Sequence, residues 1–268
     1  MKKKLYYLIA GVAMLFSACD KDKGYVENTE YERLTPGDPK YSYIKILNLS
    51  PGSPVVNFYM DGTKFSSKLS STGVENAGYT YNQVFPDLGY AIATPGARTL
   101  TGKIIPTATA DANLQVFSTN INPAPGKYYT IIPNGAYNTS TKTIPSTLVL
   151  EDVRPLLDTT KVIVRFANVL SGGPTMSLIR GTAVSDPKII NNVAVNTASD
   201  WVEISSPGGG PNPSLSFLFV DAATNVALGT ALTTTSLTKG RAYTLYVRGI
   251  SGAASPNNPI ITFYTTFY

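Results

Sequence analysis

Proline and glycine break this chain too often for it to hold a long helix. The 268 residues include 19 prolines and 22 glycines, and these are the strongest local punctuators of regular structure. Between the breaks lie short runs in which Tyr, Thr, Val, Ile and Phe alternate with polar residues, the pattern of half-buried strands. Strands are expected around Ile44, Ile46 and Leu49, over Val55 to Met60, Leu114 to Ser118 and Tyr128 to Pro133, and over Thr147 to Val153. Further strands are expected over Val162 to Val169, Ser214 to Val220, Ala242 to Gly249 and Ile260 to Phe267. Turn clusters recur about every 8–12 residues, the spacing of a β-sandwich.

The pattern occurs twice. Asn48, Pro54 and Gly62 recur as Asn168, Pro174 and Gly181, at offsets of 120, 120 and 119. Gly126, Tyr129, Thr130 and Gly135 recur as Gly240, Tyr243, Thr244 and Gly249, at a constant offset of 114. Two blocks repeated in the same order indicate a duplication. The expected fold class is all-β, with two tandem immunoglobulin-like antiparallel β-sandwich domains, residues 41–154 and 161–268. The join lies near Pro155 and Asp158-Thr159-Thr160, where the strand pattern lapses.

The segment before the first domain is different. Lys2, Lys3 and Lys4 precede an apolar run from Leu5 to Phe16, then Ser17, Ala18 and Cys19. A positive start, a short apolar stretch and small residues mark a secretion signal over 1–18. The run is shorter than the roughly 20 residues of a membrane span. Leu15 to Cys19 reads LFSAC and resembles a lipobox. That resemblance implies that Cys19 is acylated and becomes the mature N-terminus, anchoring the protein in the outer membrane, where it is expected to face the cell surface. From Asp20 to Lys40, ten of 21 residues are charged. This stretch lacks apolar periodicity and reads as a flexible tether within 19–40.

Composition excludes several chemistries. Cys19 is the only cysteine and there is no histidine. With Cys19 consumed by lipid, no disulfide or thiolate metal site can form, and the histidine-based catalytic and zinc arrangements are missing. No metal and no cofactor are expected. Three of the 22 basic residues lie in the signal, leaving 19 against 17 acidic ones. That balance gives no electrostatic footprint for nucleic acid.

Carboxylates come nearest to a catalytic set: Asp61, Asp87, Asp111, Asp200, Glu203 and Asp221. A glycosidase needs two of them across one bond, and no spacing singles out a pair. Asp200-Trp201-Val202-Glu203 places the sole tryptophan between two acids. In a strand, Trp201 and Glu203 share one face and Asp200 and Val202 the other. An exposed Trp201 could stack on a sugar ring while Glu203 bonds its hydroxyls; the structural alternative is a core anchor beside solvent-facing acids. Gly208-Gly209-Gly210 is flanked by prolines and followed by no helix, so it is a loop rather than a phosphate cradle. Asp158-Thr159-Thr160 resembles a short bacterial O-glycosylation motif, which makes Thr159 a candidate glycan acceptor. The C-terminal PIITFYTTFY is either a final core strand or a strand offered to a neighbour.

The stretch Ile46 to Thr63, ILNLSPGSPVVNFYMDGT, resembles the opening of the domain-of-unknown-function 4397 family. Gly126 to Thr130 and Gly240 to Thr244 resemble that family's closing Gly-x-x-Tyr-Thr strand. The second copy departs at its turn, where Ser171-Gly172-Gly173-Pro174 replaces the Ser-Pro pair. The resemblance implies secreted or lipid-anchored β-domains and no particular activity.

Taken together, the expected function is that of an outer-membrane-anchored, non-catalytic module binding a glycan or a partner surface protein. The alternatives are a fimbrial or surface-layer subunit and, more remotely, a carboxylate glycosidase. Changing Cys19 to Ala is expected to abolish incorporation of labelled palmitate and leave unprocessed precursor; unchanged labelling would contradict the anchor.

Overall fold

The computed structural model describes residues 32–205 and 210–268. The signal over 1–18, Cys19, most of the tether and Gly208-Gly209 therefore lie outside the described residues. The strands of the first half are β1 (Ser42–Asn48), β2 (Val56–Met60), β3 (Thr63–Lys64), β4 (Gln83–Phe85), β5 (Ala91–Ala93), β6 (Arg98–Ile104), β7 (Gln115–Ile121), β8 (Tyr128–Asn134) and β9 (Ser146–Glu151). Those of the second are β10 (Lys161–Asn168), β11 (Met176–Arg180), β12 (Lys188–Val193), β13 (Thr197–Ala198), β14 (Val202–Ser205), β15 (Leu215–Asp221), β16 (Leu232–Thr234), β17 (Ala242–Arg248) and β18 (Ile260–Phe267).

They form four sheets. The first half pairs β4-β1-β8-β9, with β5 also on β1, against β3-β2-β6-β7. The second half pairs β13-β10-β17-β18, with β14 also on β10, against β12-β11-β15-β16. The ladders are antiparallel except for one parallel pair in each half, β1 with β8 and β10 with β17.

Alternation along β1 and β10 explains the layering. Ile44 and Ile46 point into the first core, with Val56, Phe58, Leu100 and Val116 from the facing sheet. Val162, Val164 and Phe166 do the same in the second core, against Leu178, Phe217 and Phe219. The intervening residues point the other way, and they are also buried. Leu47, Leu49, Ile132 and Leu148 meet Ala167, Val169, Tyr246 and Tyr264 in a third cluster joining the halves. Every residue of β1 is therefore buried on both faces. Gly37–Tyr268 consequently forms one compact unit.

This middle layer holds ionised groups. Asp152 is 2% exposed and Arg165 4% exposed, and the guanidinium donates to the carboxylate. The other Asp152 oxygen accepts from Tyr90 Oη at 2.8 Å and Thr130 Oγ1 at 2.5 Å. Arg165 Nε donates to Thr244 Oγ1 at 2.8 Å. Burial opposes the Arg165 charge, but Asp152 more than offsets it, and the guanidinium pKa ends above its ordinary value. Smaller bonds also tie the halves. Tyr246 Oη donates to Asn82 Oδ1 at 3.1 Å, and Asn134 Nδ2 donates to Asn196 Oδ1 at 2.9 Å.

Lys45 occupies in β1 the place that Arg165 has in β10, and it is 2% exposed. Its ammonium lies 5.0 Å from the Tyr90 ring centre and 5.9 Å from that of Tyr264. Burial lowers its pKa from 10.5 to about 8, against the opposing pull of Asp152 and then Asp87. The unfolded chain keeps this proton up to about pH 10.5, so folding releases it between pH 8 and that value. Stability should thus rise with pH across this window, by up to about 1.4 kcal/mol per unit. Tyr90 and Tyr264, both raised by burial, oppose the rise once unfolded tyrosine ionises near pH 10. Urea unfolding from pH 7.5 to 9.5 is expected to show the rise in the native chain. Lys45→Met should be more stable at pH 7 and lack the slope; an equal slope in both would refute the assignment.

Candidate functional site

The six candidate carboxylates are scattered, and most are already bonded. Asp61 accepts from Thr99 N at 2.9 Å and Arg98 Nη1 at 3.1 Å. The Thr99 backbone N–H, then Arg98, hold its pKa below the ordinary value. Asp87 pairs with Lys68, Asp111 with Lys142 and Glu203 with Lys161. Asp221 caps its own turn, accepting from Ala223 N at 2.7 Å and Thr224 N at 3.1 Å. Asp200 alone makes no side-chain bond among the described residues.

Trp201 and Glu203 do share a face, as strand alternation requires, and that face is turned toward the first half. Glu203 stands opposite Ile163 in the ladder. Trp201 packs with Ile163, Ala242 and Phe267 in the middle layer. Its Nε1 donates to Val153 O at 2.9 Å, and the Arg165 guanidinium lies 4.7 Å from its ring centre. The indole is thus half-buried and engaged. Thr159 is exposed in the segment between the halves, beside Asp158, whose Oδ1 accepts from Thr160 N and Oγ1. The C-terminal stretch forms β18, paired along its length with β17.

The opposite face of the same segment lines an open cleft of about 380 Å³. Asp200 and Val202 lie on one side of it, Ile189 to Val193 on the other, and Thr197 to Ser199 between. A β-bulge builds its rim. The β11–β12 register slips between Met176 and Leu178, leaving Asn191 and Asn192 opposite Ser177, and such bulges re-aim side chains. Asn192 adopts a left-handed φ of 55°, and its backbone N–H donates to Ser177 Oγ at 3.2 Å. The side chains of Asn191, Asn192 and Asp200 are exposed and make no hydrogen bond among the described residues. Ser199 and Thr197 are occupied, donating to Asp200 O and Ala194 O at 2.7 Å each. Asn192 also borders an adjoining cleft of about 390 Å³ that contains Asp221. A further cleft in the first half, about 320 Å³, holds the Asp61–Arg98 pair.

The duplication supplies an internal comparison. Asn82 N donates to Asn48 O and Asn196 N to Asn168 O, both at 2.7 Å, and both donors have left-handed φ. Val56 bridges Tyr79 as Met176 bridges Val193. Ile46 pairs with Phe85, and Phe166 O accepts from Ser199 N. Where the second half has Asn191, Asn192, Val193, Ser199 and Asp200, the first therefore has Ala77, Gly78, Tyr79, Phe85 and Pro86. There Tyr79 and Phe85 pack edge to face at 5.6 Å, with Phe65 at 5.6 Å from Phe85. A Cβ on Gly78 would stand 2.5 Å from Ile105 Cγ2. The first copy is filled at this position and the second is open. Sequence reasoning missed Asn191, Asn192 and Ser199; superposing the halves at the offset of 114 exposes the exchange.

These features define a protein of paired β-sandwiches with an open polar cleft on the second. A family model matches residues 42–179, just over half the chain, and the chain belongs to the family described as Domain of unknown function (DUF4397). The match runs through the whole first half and into β11. No curated protein matches the sequence. Among solved structures, a family 26 carbohydrate-binding module of Eubacterium rectale Amy13K in complex with maltoheptaose aligns at 13% identity. It covers 84% of this chain and 98% of its own, with a TM-score of 0.26. Family 41 carbohydrate-binding modules from streptococcal virulence factors give 13% identity, 84% and 97% coverage and a TM-score of 0.26. Scores at this level define no shared site.

Trp201→Ala is expected to cost about 2–3 kcal/mol by urea unfolding, below the full cost of a buried aromatic because the ring is half-exposed. Glu203→Gln, at an exposed pair, should change stability by less than about 1 kcal/mol. A Trp201 variant as stable as the native chain would leave the indole free for another role.

Proposed function

We propose that this chain is a non-catalytic binding module for a glycan or a partner protein, held at the outer membrane by lipid on Cys19. One observation carries the reading. Its candidate carboxylates are tied to separate lysines, an arginine or a turn, while an open cleft keeps unbonded amides and a single free carboxylate. Acid–base hydrolysis of a glycosidic bond needs two carboxyl groups facing one substrate. Here Asp61 borders a cleft in the other half, and Asp221, in the cleft adjoining that of Asp200, is tied to its own turn. Unbonded polar side chains in a cleft instead offer recognition. The charged tether lets such a module stand away from the bilayer, and Thr159, exposed between the halves, remains the proposed glycan acceptor.

The fimbrial alternative draws less support, because β18 is built into its own sheet against β17 over seven register positions rather than being a free strand to donate, though it stands at that sheet's edge. The test uses the full lipidated chain in detergent micelles. It is presented to an array of neutral and charged glycans and, separately, to detergent-solubilised envelope proteins. Saturable retention of a glycan or a defined protein, without release of reducing sugar, is the expected result. Empty arrays together with an empty pull-down would sink the proposal, as would hydrolysis of any arrayed glycan.

A further inference from the structure

The geometry points to the cleft between β12 and the β13–β14 segment as a binding site for a neutral oligosaccharide, with Asn191, Asn192 and Asp200 as its hydroxyl-binding groups. The inference deepens the binding-module reading and rests on it.

Three properties of the cleft select the ligand class. The first is its hydrogen-bonding inventory. Asn191 and Asn192 each bring a carbonyl acceptor and an NH₂ donor, and Asp200 brings acceptors only. Vicinal hydroxyls, each both donor and acceptor, can satisfy all three at once. None of the three is bonded elsewhere among the described residues, so no internal bond must break on binding. The second is charge. No lysine or arginine lines the cleft, so a phosphate, sulfate or uronate would meet the Asp200 carboxylate without compensation. The third is the floor. Ile189 and Val202 are only partly buried and pack on the second core, giving the C–H face of a sugar an apolar surface. The volume of about 380 Å³ lies at the low end for small-ligand sites. The adjoining cleft across Asn192 allows a chain of sugar units to continue past that residue.

The first half argues that this opening is not forced by the fold. The same backbone frame there carries Ala77, Gly78, Tyr79 and Phe85 and is closed by packed rings. Apolar and small residues have been replaced by three unbonded polar ones at a single location, and Phe85 by Ser199.

The test is titration calorimetry and saturation-transfer NMR on the full chain in micelles. The probes are a panel of neutral disaccharides and trisaccharides, with a sialylated trisaccharide, inorganic phosphate and calcium chloride as separate arms. Neutral sugars are expected to bind, with transfer to their ring protons. Asn191→Ala and Asp200→Ala, at exposed positions, should each weaken binding by about tenfold and leave the thermal midpoint unchanged. Ser199→Phe, which restores the aromatic of the first half, should abolish binding; if it does not fold, the two exposed variants still decide. Neutral sugars that bind the variants as tightly as the native chain would overturn the cleft while leaving the binding-module reading intact. So would sugars that fail to bind while a protein partner is retained. Heat from calcium or phosphate alone, lost in Asp200→Ala, would equally overturn the ligand class. Absence of both sugar and protein binding would end both readings.

Discussion

The buried contact between Asp152 and Arg165 fixes how the rest of this molecule is arranged. It joins the end of β9 in one half to the middle of β10 in the other, inside a layer of apolar side chains. A charge in such a place is tolerated only when paired and hydrogen-bonded. Here Thr130 and Tyr90 serve the carboxylate, and Thr244 serves the guanidinium. Sliding one half over the other would strand both charges. The apolar contacts around them supply attraction; the ion pair selects one register.

The two halves do not contribute equally to this layer. Lys45 and Arg165 are counterparts, as are Thr130 and Thr244, but Asp152 has Thr266 as its counterpart. Two cations thus share one acid. Arg165 takes the acid and Lys45 is left against tyrosine rings, where burial lowers its pKa although Asp152 still pulls the other way. A duplicated fold has become asymmetric at its own interface. The same divergence appears at the far edge, where the first half fills its sandwich opening with Tyr79 and Phe85 and the second leaves it open. On the proposed reading, such a division leaves one copy to stability and the other to binding.

Much of the fold was legible in the sequence. All nine strands expected from β-former runs are present as β1, β2, β7, β8, β9, β10, β15, β17 and β18. Of the nine strands outside those runs, β11 is implied by the repeat, as the strand before Arg180-Gly181-Thr182; the others, β3 to β6, β12 to β14 and β16, are mostly short and flanked by turns. β6, β11 and β12 are longer, but β6 carries Arg98, Gly102 and Lys103, β11 mixes Ser and Arg with its apolar residues, and β12 carries Lys188 and two asparagines. The repeat was visible, but its register at the β2 turn was not. The offset of 120 runs on through Arg180, so Gly181 matches Asp61 rather than Gly62. Asp61 N and Gly181 N each donate to a neighbouring-strand carbonyl at 2.9 Å. The site was half legible. Alternation correctly put Trp201 and Glu203 on one face and Asp200 and Val202 on the other. It could not say which face would be covered, because that depends on the packing of one half against the other. An isolated second sandwich would keep Trp201 against Phe267 and Arg165 but without its bond to Val153 O.

The halves are one body held through a polar middle layer, not two beads on a linker. Trp201 is the only tryptophan, and it sits in that layer against Arg165. Its fluorescence therefore reports the interface, and far-ultraviolet circular dichroism reports the sheets. Equilibrium urea unfolding followed by both signals should give a single coincident transition. A fluorescence change that precedes the loss of sheet, with a plateau between the two, would show that the halves separate before either unfolds and are not one body.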